Sequence, residues 1–529
     1  MDPSVENLLA GPFGEHMRAL LGEEYPAFID SFDKKRSRAL KLNPRKLTPE
    51  CFENLSPFPA TPLPWINGGY QYPEDTRPSL CPLYQAGAYY LQDAGAMTPA
   101  AYFPVRPGDL CIDLCAAPGG KATAVSAALQ GKGLLVANDI SLPRARALLR
   151  NLEAFGSRNI LVTNEETERL ADRFGDIFDK VILDAPCSGE GMFRKDPSLA
   201  ADWTIEKSQG LAKLQRSLLE TAYRLCKKGG QILYSTCTYE TAEDEEAIKA
   251  LLLSHPDLSL VPIKMQDGPE LAKKEEGILS EAKGFTPGED DIGIRIYPHR
   301  LEAEGHFFVI LAKQGEKEVL EIETVAIAEA QTEAQTEADT QTETQTKTKT
   351  ERRKKGKAEK AGKKDKKRGK AEKAPALTPF TDFLSYLGSE TIGGEPVDLS
   401  LVEQRGEKLY LLPSLLEKGR MGEAPSLFGI SLAGLSFLRC GLYLGDLKKD
   451  RFEPSQPLAL ALLPGEASRT IDLPLSSPLL PAYLRGEAIQ VEGRDPGWYL
   501  LTTEGLPLAF GKLTGTTFKN KIPASWRQS

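Results

Sequence analysis

Two short motifs in the sequence each place a cysteine directly after an apolar run that is typical of a β-strand. Cys187 lies in residues 184–191, Asp-Ala-Pro-Cys-Ser-Gly-Glu-Gly, and Cys237 lies in residues 234–239, Tyr-Ser-Thr-Cys-Thr-Tyr. In an open α/β sheet, the residues that follow a strand's carboxyl end face the ligand crevice. The two thiols are therefore expected to meet over one substrate, where a thiolate would act as a nucleophile.

A lone cysteine after a strand is more often a buried structural residue than a nucleophile. Cys226, expected on the apolar face of a helix, and Cys440 fit that structural role. Cys187 instead lies in a Pro-Cys-Ser-Gly turn, which is poorly suited to apolar packing. Two cysteines at two strand ends therefore favour a functional site.

A Gly-rich turn follows an apolar run at residues 110–114. Its sequence, Cys-Ala-Ala-Pro-Gly-Gly-Lys at residues 115–121, is neither the G-x-G-x-x-G dinucleotide pattern nor a P-loop. Asp139, which closes the next apolar run, is placed to bind ribose hydroxyls. These features favour a nucleoside cofactor without a pyrophosphate, and the alternative is an ordinary helix start with a surface acid. Lys121 is expected either to orient the active site or to be an exposed lysine of the first helical turn.

The elements that must position these motifs alternate between strand and helix signals. Strands are predicted at residues 110–114, 134–138, 160–163, 180–184, 231–235 and 307–312. Helices are predicted at residues 120–130, 143–155, 205–227 and 243–254. This alternation predicts a doubly wound, mostly parallel α/β sheet.

Outside this region the signals are shorter. Helical spacing occurs at residues 5–21 and 25–32, a short basic strand is predicted at 36–44, a loop at 58–83 and the start of a helix at 89–97. Near the C-terminus, residues 497–512 predict a hairpin that turns at Glu504 and Gly505.

The chain is long enough, at 529 residues, for two or three domains. Its formal net charge of −8 argues on its own against a nucleic-acid partner, but residues 351–373 are dominated by lysine and arginine. Eight cysteines without a C-x-x-C pair predict reduced thiols, with neither disulfides nor a metal site. Because no signal peptide and no membrane-spanning apolar run are visible, a cytoplasmic protein away from membranes is expected.

Changes in composition divide the chain into four parts. Residues 331–350 contain no large apolar side chain, and a basic block follows them, so this stretch is predicted to be a disordered linker. The predicted parts are an N-terminal extension at 1–100, a catalytic domain at 101–314, the linker at 315–375 and a C-terminal region at 376–529.

Three motifs resemble, in order and in strand context, those of the Sun/Nop-type RNA cytosine-5 methyltransferases. They are residues 116–121, 184–189 and 235–238. The C-terminal region is similar to that of bacterial 16S ribosomal RNA enzymes of the RsmF type, with a PUA-like RNA-binding end at residues 470–529. The resemblance implies a Rossmann-like methyltransferase domain that uses S-adenosylmethionine. It also implies an N-terminal α+β RNA-binding extension and a C-terminal α+β region.

The resemblance implies roles for single residues as well. Cys237 would be the nucleophile that adds to cytosine carbon 6, Cys187 would serve the release step, and Asp184 would partner ring nitrogen 3. The implied cofactor contacts are Ala116, Ala117, Pro118, Gly119, Gly120, Lys121, Ala122, Asp139, Glu165 and Asp184.

Three residues depart from the family pattern. Glu165 stands where the family usually has aspartate, and Ala122 stands where threonine is common. His306 adds a residue to the closing Glu-Gly-Phe-Phe run. The substitution at Glu165 puts that cofactor contact in doubt.

RNA is the expected partner, and basic side chains flank the proposed site. They are Arg36, Arg38, Lys41, Arg194 and Lys195. Each alone is more often a solvated charge, but a cluster around a base-binding site favours phosphate contacts. The expected substrate is 16S ribosomal RNA or the small ribosomal subunit, and the expected enzyme is a monomer without a metal.

Two alternatives stay open. One is the same reaction on transfer RNA, and the other is an RNA-binding assembly factor without turnover. A DNA cytosine-5 methyltransferase is disfavoured because the Pro-Cys cysteine is the nucleophile there, which leaves a second motif cysteine without a role.

Overall fold

The computed structural model describes residues 2–36, 38–263, 285–315, 377–419, 424–449 and 451–528. The segment 315–375, predicted to be a disordered linker, lies outside the described residues beyond Gly315. Within the described ranges, every helix is too short or too polar to span a lipid bilayer.

The N-terminal residues form helices and a small antiparallel sheet. The helices are α1 (Pro3–Leu9), α2 (Pro12–Leu21), α3 (Tyr25–Ser31), α4 (Pro49–Leu55), α5 (Pro82–Gln85) and α6 (Ala94–Ala101). The strands are β1 (Arg38–Leu42), β2 (Thr61–Pro62), β3 (Gly69–Tyr72) and β4 (Tyr89–Leu91), in the order β2–β3–β1–β4. Phe13 of α2 and Phe28 of α3 pack edge-on against Phe193 and Tyr239, with ring centroids 5.4 and 5.6 Å apart. Helices α2 and α3 therefore cover the loops that follow the two cysteines.

Two predictions for this region are wrong. Residues 58–83, predicted as a loop, contain β2 and β3, because the main chain of β3 pairs with β1. Residues 89–97, predicted to begin a helix, begin as β4, which also pairs with β1. Helix α6 starts only after Asp93, whose side chain accepts a hydrogen bond from the Gly95 N–H at 2.8 Å. Pairing with a strand distant in sequence overrides the local signal in both cases.

The central region alternates strands and helices. The helices are α7 (Gly120–Ala128), α8 (Leu142–Ala154), α9 (Thr167–Phe174), α10 (Ser198–Ala201), α11 (Ile205–Leu225) and α12 (Glu245–Ser254). The strands are β5 (Leu110–Asp113), β6 (Leu134–Asn138), β7 (Ile160–Thr163), β8 (Phe178–Asp184), β9 (Cys226–Thr236), β10 (Leu258–Leu260), β11 (Phe285–Pro287), β12 (Ile294–Ile296) and β13 (His306–Lys313).

Five parallel strands form the middle of the sheet in the order β9–β8–β5–β6–β7. Strand β13 continues the sheet antiparallel to β9, and β12 and β11 follow it. The direction in which strands are added reverses between β5 and β8, so the ligand crevice is expected outside the carboxyl ends of these two strands. The predicted doubly wound α/β sheet is confirmed.

All six predicted strands of this region are present, and so are the four predicted helices. Strand β9 begins at Cys226, which had been expected on a helix; its side chain is fully buried. Helix α9 was not predicted, although its apolar residues Leu170 and Phe174 pack in the core.

The C-terminal residues form helices α13 (Thr378–Leu387), α14 (Gln456–Ala461) and α15 (Leu479–Leu484). Their strands are β14 (Thr391–Ile392), β15 (Glu395–Pro396), β16 (Val402–Arg405), β17 (Lys408–Leu411), β18 (Leu416–Glu417), β19 (Ser426–Leu427), β20 (Ile430–Ser431), β21 (Phe437–Cys440), β22 (Leu442–Lys448), β23 (Arg451–Pro454), β24 (Thr470–Asp472), β25 (Ile489–Gln490), β26 (Gly497–Thr503), β27 (Leu506–Thr514) and β28 (Thr517–Asn520). Strands β24–β26–β27–β28–β25 form a final sheet in that order. Strands β26 and β27 are the predicted hairpin, and Glu504 and Gly505 both have positive φ, as its tight turn requires.

One strand of the C-terminal region belongs to the central sheet. Strand β21 pairs antiparallel with β7, with Cys440 opposite Leu161. Arg439 reaches across to Glu153 of α8, with Nη2 and Oε1 3.0 Å apart, and both side chains are largely buried. The C-terminal region therefore completes the edge of the sheet that carries the site.

Substitutions in the Arg439–Glu153 pair test whether the C-terminal region packs against the central domain in this way. Arg439→Met leaves a buried carboxylate unpaired, so we expect it to destabilise the protein by about 3 kcal/mol. Adding Glu153→Gln removes that charge, and the double-mutant cycle should show a coupling of about 1–3 kcal/mol in urea unfolding. Strictly additive effects would show that the two side chains do not interact in solution.

Candidate active site

The structure brings the two motif cysteines together. Strands β8 and β9 pair in register, with Asp184 opposite Ser235, so that the loops after them lie side by side. The sulfur atoms of Cys187 and Cys237 are 3.2 Å apart, and the Cys237 N–H donates a hydrogen bond to Cys187 Sγ at 3.3 Å. Both thiols are free and partly exposed. One ring-sized substrate can therefore reach both sulfur atoms.

Hydrogen bonds hold the two loops to each other. The Gly191 N–H donates to the Cys237 carbonyl at 2.9 Å. Glu190 accepts a hydrogen bond from the Tyr239 N–H at 3.0 Å, and the hydroxyls of Ser188 and Thr238 lie 2.6 Å apart. A Cβ at Gly191 would lie 2.4 Å from the carbonyl oxygen of Gly305, just before β13, so only glycine fits there.

The surroundings of Cys187 disfavour its thiolate form. The hydrogen bond to Cys237, burial and the nearby carboxylate of Glu243 raise the pKa of Cys187 well above its ordinary value. Cys187 is therefore a thiol at neutral pH, and it is placed to donate its S–H to the Cys237 sulfur.

Asp184, at the end of β8, is paired with Lys121. The Lys121 ammonium lies 2.7 Å from Asp184 Oδ1, and the Ser235 hydroxyl donates to the same oxygen at 2.7 Å. Loss of solvation would raise the pKa of Asp184, but the charge of Lys121 and these hydrogen bonds outweigh it, so the pKa lies below its usual value. Lys121 is only 4% exposed, so the alternative of an exposed lysine is wrong. Asp184 is thus ionised at neutral pH.

The Gly-rich turn follows β5 and leads into α7, which carries Lys121; the Ala116 N–H donates to the carbonyl of Asn138, at the end of β6, at 2.8 Å. Gly119 precedes α7 with φ +117°, a conformation that favours glycine. Neighbouring side chains fix the turn: Arg144 donates to the Ala117 carbonyl at 2.8 Å, and Asn151 donates to the Pro118 carbonyl at 2.7 Å. The remaining predicted contacts are Ala116, which is buried, Gly120, which begins α7, and Ala122, whose side chain packs in the core.

Asp139 lies at the loop after β6, as predicted, and its carboxylate is nearly fully buried. Its Oδ1 accepts a hydrogen bond from the Ser141 N–H at 2.9 Å. Its Oδ2 is 3.3 Å from Arg144 Nη2 but makes no hydrogen bond within the described residues. One acceptor therefore remains for a ligand hydroxyl.

Glu165 has a different environment. Its Oε2 accepts a hydrogen bond from Arg169 at 2.7 Å, and its Oε1 accepts one from the Ser436 N–H at 2.6 Å. Ser436 immediately precedes β21, so Glu165 binds the C-terminal region. The side chain of the adjacent Glu166 is exposed. A cofactor contact by Glu165 stays a prediction.

Two buried groups of the crevice received no role from the sequence. Asp113, the last residue of β5, is fully buried, and neither carboxylate oxygen has a partner among the described residues. Burial and the charge of Asp184 raise its pKa to about 8. His306 is also buried, its Nε2 has no partner in the same ranges, and burial and Lys121 lower its pKa to about 3. The sequence could have indicated these two residues only through their positions, because each lies at or next to the end of a predicted strand.

The basic residues predicted around the site have three different environments. Arg36 and the largely buried Arg194 face the carboxylate of Glu304, at 2.9 and 4.0 Å. The sequence indicated that Arg194 is a free surface charge. Its side chain is instead largely buried, because its guanidinium faces the Glu304 carboxylate. Lys195 and Arg38 remain exposed, and Lys41 donates to a main-chain carbonyl. In the described part of the chain, no group of three or more His, Cys, Asp or Glu side chains is arranged to hold a metal ion.

The protonation of Glu190 yields a stability prediction. Burial raises its pKa to about 8. An acid of this kind stabilises the fold below its ordinary pKa of about 4.3 and loses that contribution as pH rises towards 8. Between pH 5 and 9, the free energy of unfolding of the wild type, measured in urea, should therefore fall. The fall in Glu190→Gln should be smaller by at least about 1 kcal/mol. Glu206→Gln, at an exposed position, is the control; parallel pH curves for Glu190→Gln and wild type would contradict the assignment.

Curated relatives and a solved structure share this organisation. The chain is 32% identical to the ribosomal RNA small subunit methyltransferase F of Erwinia tasmaniensis over 57% of its own length and 63% of the relative's. It is 26% identical to the protein of that name from Shewanella amazonensis over 92% and 90% of the two lengths. The crystal structure of PH0851 superimposes with a TM-score of 0.51 and 25% identity, covering 59% of this chain and 69% of the other.

Four family models match successive parts of the chain. Residues 9–94 match the N-terminal domain of 16S rRNA methyltransferase RsmF, and residues 100–312 match 16S rRNA methyltransferase RsmB/F. Residues 390–462 match the first C-terminal domain of RsmF, and residues 470–528 match its PUA domain. The four models lie along the chain in the order N-terminal domain, methyltransferase, first C-terminal domain and PUA domain, so the chain is similar to 16S rRNA methyltransferases of the RsmF type over most of its length.

Proposed function

We propose that this chain methylates carbon 5 of a cytosine in RNA, and that 16S ribosomal RNA is its substrate. The observation that carries the proposal is the 3.2 Å contact between Cys187 and Cys237 beside the ionised Asp184. Addition of a nucleophile to a pyrimidine and later release of the base require two thiols and one carboxylate, and the site contains these groups. The names of the relatives support ribosomal RNA as the substrate.

The crevice fits S-adenosylmethionine. Asp113 is a buried carboxyl group without a partner in the described ranges, and it can accept a hydrogen bond or an ion pair from the cofactor's ammonium group. The Asp139 Oδ2, which faces Arg144 but accepts no hydrogen bond in the described ranges, suits a ribose hydroxyl. The turn at residues 116–120 brings main-chain groups close to both acids. When bound there, the cofactor supplies an electrophilic methyl group.

Cytosine carbon 5 is a poor nucleophile, and Cys237 overcomes this by addition. Its thiolate forms a bond to carbon 6, which turns the ring into an enamine. Addition places negative charge on ring nitrogen 3, which takes up a proton from water and returns it when the base is released. Asp184, held as an anion by Lys121, accepts a hydrogen bond from the resulting N–H and stabilises the adduct. Carbon 5 then forms a bond to the methyl carbon as the sulfonium–methyl bond breaks.

Release requires loss of the carbon-5 proton. Cys187, which gives its own proton to water once Cys237 is bound in the adduct, accepts the carbon-5 proton as a thiolate; the carbon 5–carbon 6 double bond re-forms, and Cys237 leaves as a thiolate. Adduct formation turns the Cys237 sulfur into a neutral thioether, which removes the largest interaction that raises the pKa of Cys187.

The target base must leave its stack to contact both sulfur atoms, so an unpaired or flippable cytosine is required. The exposed Lys195 follows the Cys187 loop and suits a phosphate contact next to that base.

Methyl transfer with cysteine variants tests the proposal. We expect wild type to form 5-methylcytosine on small ribosomal subunits or 16S RNA, and Cys237→Ala to form none. Cys187→Ala should accumulate a covalent protein–RNA adduct, because release is blocked. Cys51→Ala, which changes an exposed free cysteine, is the matched control.

Three outcomes would contradict the proposal. Activity in Cys237→Ala would refute the assigned nucleophile, and product only on transfer RNA would refute the substrate. Binding of RNA without any methylation would favour an assembly factor.

The Lys121–Asp184 pair predicts a pH effect. Lys121→Met removes the positive charge that most lowers the pKa of Asp184, so that pKa should rise. The acid limb of kcat/KM should then move towards neutral pH, by a factor approaching tenfold in rate for each pKa unit. Profiles from pH 5 to 9 would show this, with Lys121→Arg as the charge-preserving control. An unchanged profile shape in Lys121→Met would refute the role of the pair.

A further inference from the structure

A buried carboxylate next to the cysteine pair has no role in the chemistry described so far. Glu243 lies after the Cys237 loop and just before α12, and it is fully buried. Its Oε2 accepts hydrogen bonds from the Ser188 N–H at 3.0 Å and from Gln215 Nε2 at 2.7 Å. Its Oε1 accepts one from the Ser208 hydroxyl at 2.7 Å. Three donors therefore share one carboxylate.

These contacts converge on one cysteine. Ser188 follows Cys187 in the chain, and Glu243 holds its N–H directly. Pro186 precedes Cys187, and its carbonyl accepts a hydrogen bond at 2.9 Å from the same Gln215 amide that binds Glu243. The main chain is thus fixed on both sides of Cys187.

The Cys237 loop is held by other groups. Thr236 donates to Asp244 at 2.6 Å, the Tyr239 N–H donates to Glu190, and the Tyr239 carbonyl accepts a hydrogen bond from the buried Arg295 at 2.9 Å. Loss of the Glu243 side chain would therefore disturb the position of Cys187 and leave these contacts of the Cys237 loop in place.

We propose that Glu243 is a positioning residue for the release step: with Gln215, it holds the Cys187 thiol where it can take the carbon-5 proton of the adduct. This inference rests on the proposed function. The negative charge of Glu243 near Cys187 also makes that sulfur a stronger base. Addition of Cys237 to the base does not depend on Glu243.

The expected signature is a split between the two half-reactions. Glu243→Gln should form the covalent adduct as readily as wild type but release it slowly, because a misplacement of about 1 Å can cost on the order of 100-fold in rate. We expect 5-methylcytosine turnover to fall about 10- to 100-fold. The denaturation-resistant protein–RNA adduct should accumulate, as in Cys187→Ala.

The experiment measures turnover and adduct fraction in the full chain with 16S RNA and S-adenosylmethionine. Glu246→Gln is the matched control, since that carboxylate is exposed and its ion pair with Arg216 is long, at 4.0 Å. The double variant Glu243→Gln/Cys237→Ala should form no adduct, which would show that the trapped species forms through Cys237. If Glu243→Gln fails to fold, Gln215→Met tests the positioning role instead. It removes the hydrogen bond to the Pro186 carbonyl and leaves the Glu243 carboxylate in place. This variant should also accumulate the adduct.

Two results would overturn the inference. One is lower turnover without adduct in a folded Glu243→Gln or Gln215→Met, which would mean a merely structural role. The other is wild-type behaviour of Glu243→Gln. In both cases an adduct in Cys187→Ala would show that the proposed function stands and only the positioning role fails. Absence of methylation by wild type would instead refute the proposed function.

Discussion

The contact between the Cys187 and Cys237 thiols is the interaction on which the site depends. Two sulfur atoms 3.2 Å apart require two strands in register and two loops locked together. Parallel pairing of β8 and β9 supplies the register. The two loops are held together by a hydrogen bond between the Ser188 and Thr238 hydroxyls, one from the Tyr239 N–H to Glu190, and one from the Gly191 N–H to the Cys237 carbonyl. Buried carboxylates recur in this framework because each can accept several N–H or O–H donors at once.

Burial of so many acids has an energetic cost that ligands can offset. Asp113, Asp139 and Asp184 surround the Gly-rich turn, and Lys121 is the positive side chain hydrogen-bonded to one of them. Repulsion and desolvation hold Asp113 partly protonated near neutral pH. A cofactor that carries an ammonium and a sulfonium group would relieve this repulsion, so the electrostatics of the crevice suit a cationic ligand.

Much of this architecture could be predicted from the sequence. Runs such as residues 134–137 and 160–162 are apolar throughout because parallel strands are covered on both faces, and that pattern is local. The meeting of Cys187 and Cys237 followed from the rule that strand ends share one crevice. The hairpin at Glu504 and Gly505 followed from turn chemistry.

What the sequence did not show depends on contacts between distant residues. Strand β4 forms only because β1 is beside it, and β21 joins the central sheet across more than two hundred residues of chain. The same holds for side chains. The residues next to Glu165 in the sequence do not indicate that it will accept a hydrogen bond from Ser436. Those next to Arg194 do not indicate that it will be buried facing Glu304.

The most direct test of the account is to identify the sulfur that binds the base. RNA containing 5-fluorocytosine should trap wild-type protein, because after methyl transfer carbon 5 carries fluorine and no proton can be removed. Mass spectrometry of the digested adduct should find the methylated, fluorinated base on the peptide that contains Cys237. Finding it on the Cys187 peptide, or finding no adduct under conditions where unmodified RNA is methylated, would contradict the account.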